Sequence, residues 1–403
     1  MDLSSSYDFM VFGTHPAALW AAGHLLSFEK KVLLIPLADP GNAGIRAIPR
    51  GVLDAFHPGE SARAGMTPVP VQILTSSRRF KIGDSPEAMA RERVFQFGSS
   101  RKPGDDPELM RGLRHVSGVC APGFRTAWSW EESVRTVLSL VQLDPSRADP
   151  ARMMVEALVE RGAHLAKPGQ LRRIFVDQNT FVGVQLGDRS KMISALAGFN
   201  GARSETLAPL MSEGGGAPPA AAGWWFEMRF ECEASAVPAG VTRRMIHVEG
   251  EAPVLEFHRE GEGVFVMRTV LPLDEASLDR GFQRRLCERM MKVASRIIPD
   301  LEYNVRKMVP DLRDVERAER FELPSLFPYR SPGDIPAARK LAGKPSEGGV
   351  RQGLVNLHSI NDEVLPEQGV PGPYRSVIEW FETQSKKRDP MMSIPPLPSR
   401  VHL

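Results

Sequence analysis

Gly13, His15 and Ala18 occupy the three glycine positions of a G-x-G-x-x-G spacing, in the string FGTHPAALWAAG. Set between an apolar strand and a helix, that spacing serves to bind a pyrophosphate. The first glycine makes the tight turn, the second admits the phosphates to the backbone, and the third lets helix pack on strand. Here the first is kept and the third is mildly changed. The second carries an imidazole where a phosphate would press against the chain. An acid closing the next strand would grip the ribose hydroxyls. Pro36 stands there, with neither a carboxylate nor an N–H.

Each residue has a bland reading beside the chemical one. His15 would offer a charged donor to phosphate, since small shifts move histidine across neutral pH; the plainer reading is a side chain filling a vacant groove. Gly13 would turn a strand into a helix whether or not a ligand follows. Because both lost groups act directly on the ligand, the plainer readings are preferred.

The elements that must position these residues are legible. Residues 9–12 and 32–35 are apolar runs, and residues 17–28 between them have helical rhythm, which together make a βαβ unit. Residues 69–74 and 79–82 flank the turn-like TSS and predict a hairpin. Ser129 and Glu132 form a capping box ahead of an apolar stripe at Val134, Val137, Leu138 and Val141. In the next helix Asp149 caps, Pro150 takes the first position and Gly162 ends the run. Strands are predicted over 171–176, 181–186 and 192–199, ending in the small turn Asn200-Gly201. Further strands over 224–232, 244–249, 254–258 and 264–271 read as an antiparallel sheet, followed by an amphipathic helix over about 276–298.

Bulk properties exclude several classes. With 403 residues the chain has room for a large core and two domains. A formal net charge of +2 gives no global pull toward nucleic acid or an anionic membrane surface. The three cysteines, Cys120, Cys232 and Cys287, have no CxxC or Cys/His spacing, so a reducing compartment is expected rather than a disulfide framework or zinc site. The first residues show no basic region or cleavage site, and their apolar segment is too short to span a bilayer, so a soluble cytoplasmic protein without an integral membrane segment is expected. The histidines lack metal-ligand spacing, and no G-x-S-x-G, HExxH or Walker sequence is present. Trp224 and Trp225 read either as a tunnel lining or, more plainly, as alternate faces of one strand. Arg284, Arg285, Arg289, Lys292 and Arg296 read as the solvated face of a helix. The tail PPLPSR, with Pro395 and Arg400 at its ends, has polyproline-ligand spacing and is a docking hypothesis.

In the order of its parts the chain resembles the FAD-dependent oxidoreductase superfamily of phytoene desaturases, amine oxidases and Rab GDP-dissociation inhibitors. Three blocks carry the resemblance: the N-terminal βαβ, the stretch ALVERGAHLAKPGQLRRIFVDQNTFVGVQL, and the stretch LVNLHSINDEVLPEQGVPGPYRSVIEW. In the third block Asp362 matches the acid that ends a strand, while Gly369, Gly372 and Ser376 match the turn that opens a helix beneath the flavin. Asn361 and Val377 replace small residues of that pattern. Asp362 reads equally as a cofactor contact and as a loop acid at a helix entry.

The resemblance implies an α/β protein with a Rossmann-like, three-layer FAD/NAD(P)-binding domain, built from residues 1–211 and 311–385. Residues 212–310 would form an inserted antiparallel-sheet (α+β) domain of substrate type, and 386–403 a Pro-rich tail. It implies FAD as the cofactor, with Gly13, His15, Ala18, Pro36, Asp362, Gly369, Gly372 and Ser376 around it. With His15 and Pro36 as they are, FAD is expected to be lost. The role expected is then that of a pseudoenzyme, a non-catalytic binding or scaffold protein similar to the Rab GDP-dissociation inhibitors, taking a protein partner or an apolar ligand of lipid or isoprenoid type. The alternative is an FAD-dependent desaturase or oxidase of a hydrophobic substrate. No catalytic residue stands out.

Overall fold

The structure, a computed structural model, describes residues 3–37, 46–56, 70–83, 85–98, 106–118, 129–143, 150–187, 192–202, 204–211, 221–272, 279–309, 338–342, 354, 356–361 and 370–386. The chain opens with β1 (Ser6–Phe12), α1 (Pro16–Ser27), β2 (Val32–Ile35), β3 (Arg46–Pro49) and α2 (Arg50–Phe56). A hairpin of β4 (Val71–Leu74) and β5 (Arg79–Lys81) leads to α3 (Pro86–Phe97), α4 (Pro107–Val116), α5 (Trp130–Ser139), β6 (Leu140–Leu143) and α6 (Pro150–Glu160). Next come β7 (His164–Leu165), β8 (Leu171–Asp177), β9 (Thr180–Leu186), β10 (Ile193–Asn200), β11 (Ala221–Cys232), β12 (Arg244–His247), β13 (Leu255–Arg259) and β14 (Val264–Pro272). The last elements are α7 (Arg280–Ile297), β15 (Val305–Val309), β16 (Ala338–Ala342), β17 (Leu357–Ser359) and α8 (Pro371–Lys386).

Two large sheets organise these elements. The first runs β7-β2-β1-β10-β9-β8, with β17 also on β10. β1, β2, β7, β10 and β17 are parallel to one another, and β9 pairs antiparallel with both β10 and β8. β1 is apolar on both faces because both are covered: Phe9 and Val11 join the core under α1, α6 and α8, and Met10 and Phe12 the core on the other side. α1 is buried nearly all round. A Cβ on its Gly23 would stand 3.0 Å from Cζ of Phe56 and 3.4 Å from Cδ2 of Leu158, so this glycine lets α2 and α6 close onto it.

The second sheet runs β15-β11-β14-β13-β12-β4-β5, with β16 also on β11. One face packs on α7 through Met228, Phe230, Met245, Phe257, Met267, Met290 and Val293. Toward β4 the opposite face is covered by α3, α4 and α5. A small third sheet pairs β3 with β6.

The local signals translate directly. The expected hairpin is β4–β5, the capping box at Ser129 and Glu132 is formed in full, and α6 opens on Pro150. The long helix starts later than its apolar stripe predicts, at Arg280, because the Asp279 carboxylate caps it by accepting from the Phe282 amide at 2.7 Å.

Sheet membership departs from the expected layout. β4 pairs in parallel with β12, Val71 against Arg244 and Ile73 against Ile246, so residues from the range given to the first domain extend the second sheet. β16, from the range 311–385, pairs with β11 in the same sheet. Both pairings were hidden for one reason: partners more than a hundred residues away leave no local trace. Cys232 and Cys287 are unpaired and buried. Cys120, Asp149, Asp362, Gly369, Pro395 and Arg400 lie outside the described residues. Among the described residues no helix is long and apolar enough to cross a membrane.

Candidate functional site

Gly13 makes the turn after β1 with φ +78°, its amide donating to the Ile35 carbonyl at 2.9 Å. A Cβ there would lie 2.8 Å from the Ala202 amide nitrogen. Gly201 is equally tight: its Cβ would meet that of Ala18 at 2.7 Å and that of His15 at 3.1 Å. The turn after β10 therefore rests on the turn after β1. Two asparagines hold it there. Asn200 Oδ1 accepts from the Ala202 amide at 2.9 Å, and Asn361 Nδ2 donates to the Ala202 carbonyl. Both side chains are buried.

The N-terminus of α1 is where an anion would sit, on first-turn amides that a helix leaves unpaired. In this chain three of those positions are lost or engaged. Pro16 has no N–H, the Ala17 amide donates to Nδ1 of His15 at 3.2 Å, and the Ala18 amide donates to the His15 carbonyl at 3.0 Å. His15 is the N-cap, a role served by Ser, Thr, Asn or Asp in most helices. Since Nδ1 accepts, the imidazole presents no proton from that atom to a phosphate. Its ring centroid lies 6.3 Å from that of Tyr374 in the first turn of α8, so His15, Ala18 and Gly372 converge on one place. Pro36 is half-buried just past β2.

The opening of α8 is similarly poor in donors. Pro371 and Pro373 lack N–H groups, which leaves Gly372 as the one first-turn amide. Gly372 is buried and Ser376 half-buried. The structure thus gathers Gly13, His15, Ala18 and Gly372. Among the described residues, this place offers few free amides to a pyrophosphate, and Pro36 supplies no carboxylate to a ribose.

A second constellation lies on the second sheet, where sequence reasoning found no candidate. Cross-strand register sets Ile246, Glu256, Arg268 and Glu227 in one row, and Arg244 and His258 in the next. Glu256 is 5% exposed, yet it binds three cationic or titratable groups. Arg244 Nε donates to its Oε1 at 2.6 Å, His258 Nε2 lies 3.1 Å from the same oxygen, and His115 Nε2 on α4 lies 3.6 Å from Oε2. Beside them Arg268 Nε stands 2.8 Å from Glu227 Oε1, both side chains under a tenth exposed. Burial alone would raise the Glu256 carboxyl, but the Arg244 and His258 side chains hold it well below the usual carboxylate range. His258 is pushed down by burial against the opposing pull of Glu256. Nδ1 of His258 is buried without a hydrogen-bond partner among the described residues.

Desolvating so many ionisable groups costs several kcal/mol each, and only close pairing offsets it. Such rows are weak evidence for stability and better evidence for a site. The available signal was the alternation of apolar and ionisable residues in LEFH, with further ionisable residues at the ends of RMIH. The register that unites them was not available.

Neither a family model nor a curated protein matches this sequence. Solved structures do. A geranylgeranyl bacteriochlorophyll reductase-like protein from Thermoplasma acidophilum aligns with TM-score 0.50 and 11% identity, over 96% of this chain and 81% of that one. The myxobacterial chondrochloren halogenase, described as a variant of FAD-dependent halogenases, aligns with TM-score 0.50 and 12% identity, over 92% of this chain and 72% of that one. The fold is that of the FAD-binding flavoproteins. At such identities the likeness fixes the fold of this flavoprotein-fold chain and nothing finer; neither structure is a phytoene desaturase, an amine oxidase or a Rab GDP-dissociation inhibitor.

Proposed function

We propose that this flavoprotein-fold chain is a binding protein that does not hold FAD in the family's manner, and that its ligand meets the charged row of the second sheet. One observation carries the reading: Pro16 brings no N–H to the first turn of α1, and the Ala17 and Ala18 amides donate to the His15 imidazole and carbonyl. The absence of a ribose acid at Pro36 supports it independently. The ligand is an apolar small molecule or protein segment that brings a polar group to Glu256, His258 and Arg268, since a wholly apolar one would leave buried charges without exchange partners.

A second reading is a flavin-dependent oxidoreductase of a hydrophobic substrate. The comparisons lean to this side: both fold relatives extend over nearly the whole chain, and one is described as FAD-dependent. In that reading bound FAD would supply the redox chemistry, and the row would orient the substrate. The visible absorption spectrum of protein purified from riboflavin-supplied cells separates the two. A colourless protein that fails to take up added FAD is expected; stoichiometric flavin overturns the first reading and leaves the second.

A further inference from the structure

Arg289 does not belong to the solvated helix face that its neighbours suggest. On α7 its Nη1 donates to the Pro253 carbonyl at 3.2 Å, and its Nη2 is buried without a partner among the described residues. Pro253 lies in the turn joining β12 to β13, which is also gripped from the other side of the sheet. Arg111 of α4 donates to the carbonyls of Gly250 and Ala252, and the Glu108 carboxylate accepts from the Gly250 amide at 2.6 Å.

His247, the last residue of β12, shares a strand face with Met245 and so turns toward α7. It is 7% exposed, and its Nδ1 also has no partner among the described residues. A buried donor and a buried imidazole nitrogen without partners thus stand together at one end of the sheet. Above them the rim is open. Arg296, two turns along α7 from Arg289, is 56% exposed and faces Glu249, 44% exposed, across a loose 3.9 Å contact. Three arginines (Arg111, Arg289 and Arg296) face two carboxylates, one of which, Glu108, is already committed to Gly250 and Ser76.

We propose that this end of the second sheet, between α7 and the β12–β13 turn, binds a small oxyanion of the phosphate or sulfate type. The anion accepts from Nη2 of Arg289 and from Arg296, displaces Glu249 from the rim, and receives a further hydrogen bond from His247 when that ring is protonated. Arginine is suited to this role because its planar fork matches tetrahedral oxyanions. The groups facing His247 are Glu249, Arg289, Arg296 and Glu108, so its protonation is coupled to the occupant. The inference is independent of whether FAD is bound.

The test is the thermal midpoint of the full chain in inorganic phosphate against chloride at matched ionic strength, at pH 6 and pH 8, with a phosphomonoester (phenyl phosphate) in parallel. Phosphate is expected to raise the midpoint, more at pH 6 than at pH 8. Arg289→Gln should lose the effect, Arg296→Gln should weaken binding about tenfold, and His247→Gln should retain weak binding without the pH dependence. Tighter binding of phenyl phosphate would mark the physiological ligand as a phosphorylated molecule; equal binding would mark the free anion. Arg296 is exposed, so its variant keeps the test valid if Arg289→Gln fails to fold. Equal midpoints in phosphate and chloride, or an Arg296→Gln variant that responds like the parent, would overturn the proposal. A half-effect on the order of 10 mM or weaker would mean an adventitious ion only.

Discussion

The carbonyl of Ser117 accepts a hydrogen bond from the amide of Val370 at 2.9 Å. Ser117 is the C-cap of α4 and Val370 leads into α8. Just before Ser117, His115 stands against Glu256 of the charged row, and just after Val370, Tyr374 stands against His15 at the start of α1. One backbone bond therefore links the two candidate centres.

Breaking the asparagine clip tests the packing of the β10 turn on the β1 turn. Asn361→Ala leaves the Ala202 carbonyl buried without its Asn361 donor, which should cost about 1–3 kcal/mol. Urea unfolding would show this as a lower midpoint at unchanged slope.

Reversing two residues tests whether they keep FAD out. Replacing His15 by Gly frees the Ala17 amide, and replacing Pro36 by Glu restores an acid at the end of β2. The double variant should gain FAD binding, read as quenching of flavin fluorescence, where the parent shows none. The loss of the cap by itself should cost only a few tenths of a kcal/mol, because glycine is a tolerable N-cap. If the double variant stays blind to FAD, other parts of the groove also exclude it.

Charge pairing in the row predicts a severe effect at one position. Arg244→Leu removes the guanidinium that pairs with buried Glu256 and should cost about 3–5 kcal/mol. Arg244→Leu combined with Glu256→Leu should recover much of that loss in stability. Ligand binding should not recover if the row is a site, and a double variant with full binding would reduce the row to a structural role.

The row and its neighbour also fix the direction of the acid response. His258 and His247 are both pushed below the ordinary histidine value, in each case chiefly by burial. The unfolded chain therefore binds more protons than the native state near and below pH ~6.5. Stability is full above that pH and falls as pH drops through the lowered native values. Glu256, held well below its ordinary range, adds a second loss of the same sign at lower pH. His258→Asn should flatten the stability profile between about pH 7 and pH 5, measured by urea midpoints across that window.

Much of the molecule was legible from local chemistry. The βαβ unit at the start, the Ser129–Glu132 capping box, the hairpin at residues 71–81 and the meander ending at Asn200 are each specified by neighbouring residues. The departures from the nucleotide motif were legible too, since His15 and Pro36 stand where the pattern has a glycine and an acid. Their consequence was not. That His15 caps the helix it interrupts depends on its Nδ1 reaching the Ala17 amide.

Tertiary structure alone decided the rest. Val71 pairs with Arg244, Asn361 reaches Ala202, and His115 meets Glu256 across separations of more than a hundred residues. The side-chain alternation of β13 announces that Glu256 and His258 share a face but not which partners lie across from them. A shift of one residue in register would send Glu256 to the α7 face. The sequence by itself thus determined the elements and the unusual residues at the nucleotide turn, because both are read within a few residues. The folded chain determined where the charges meet, because only strand register and the packing of α4 bring distant side chains within hydrogen-bond reach.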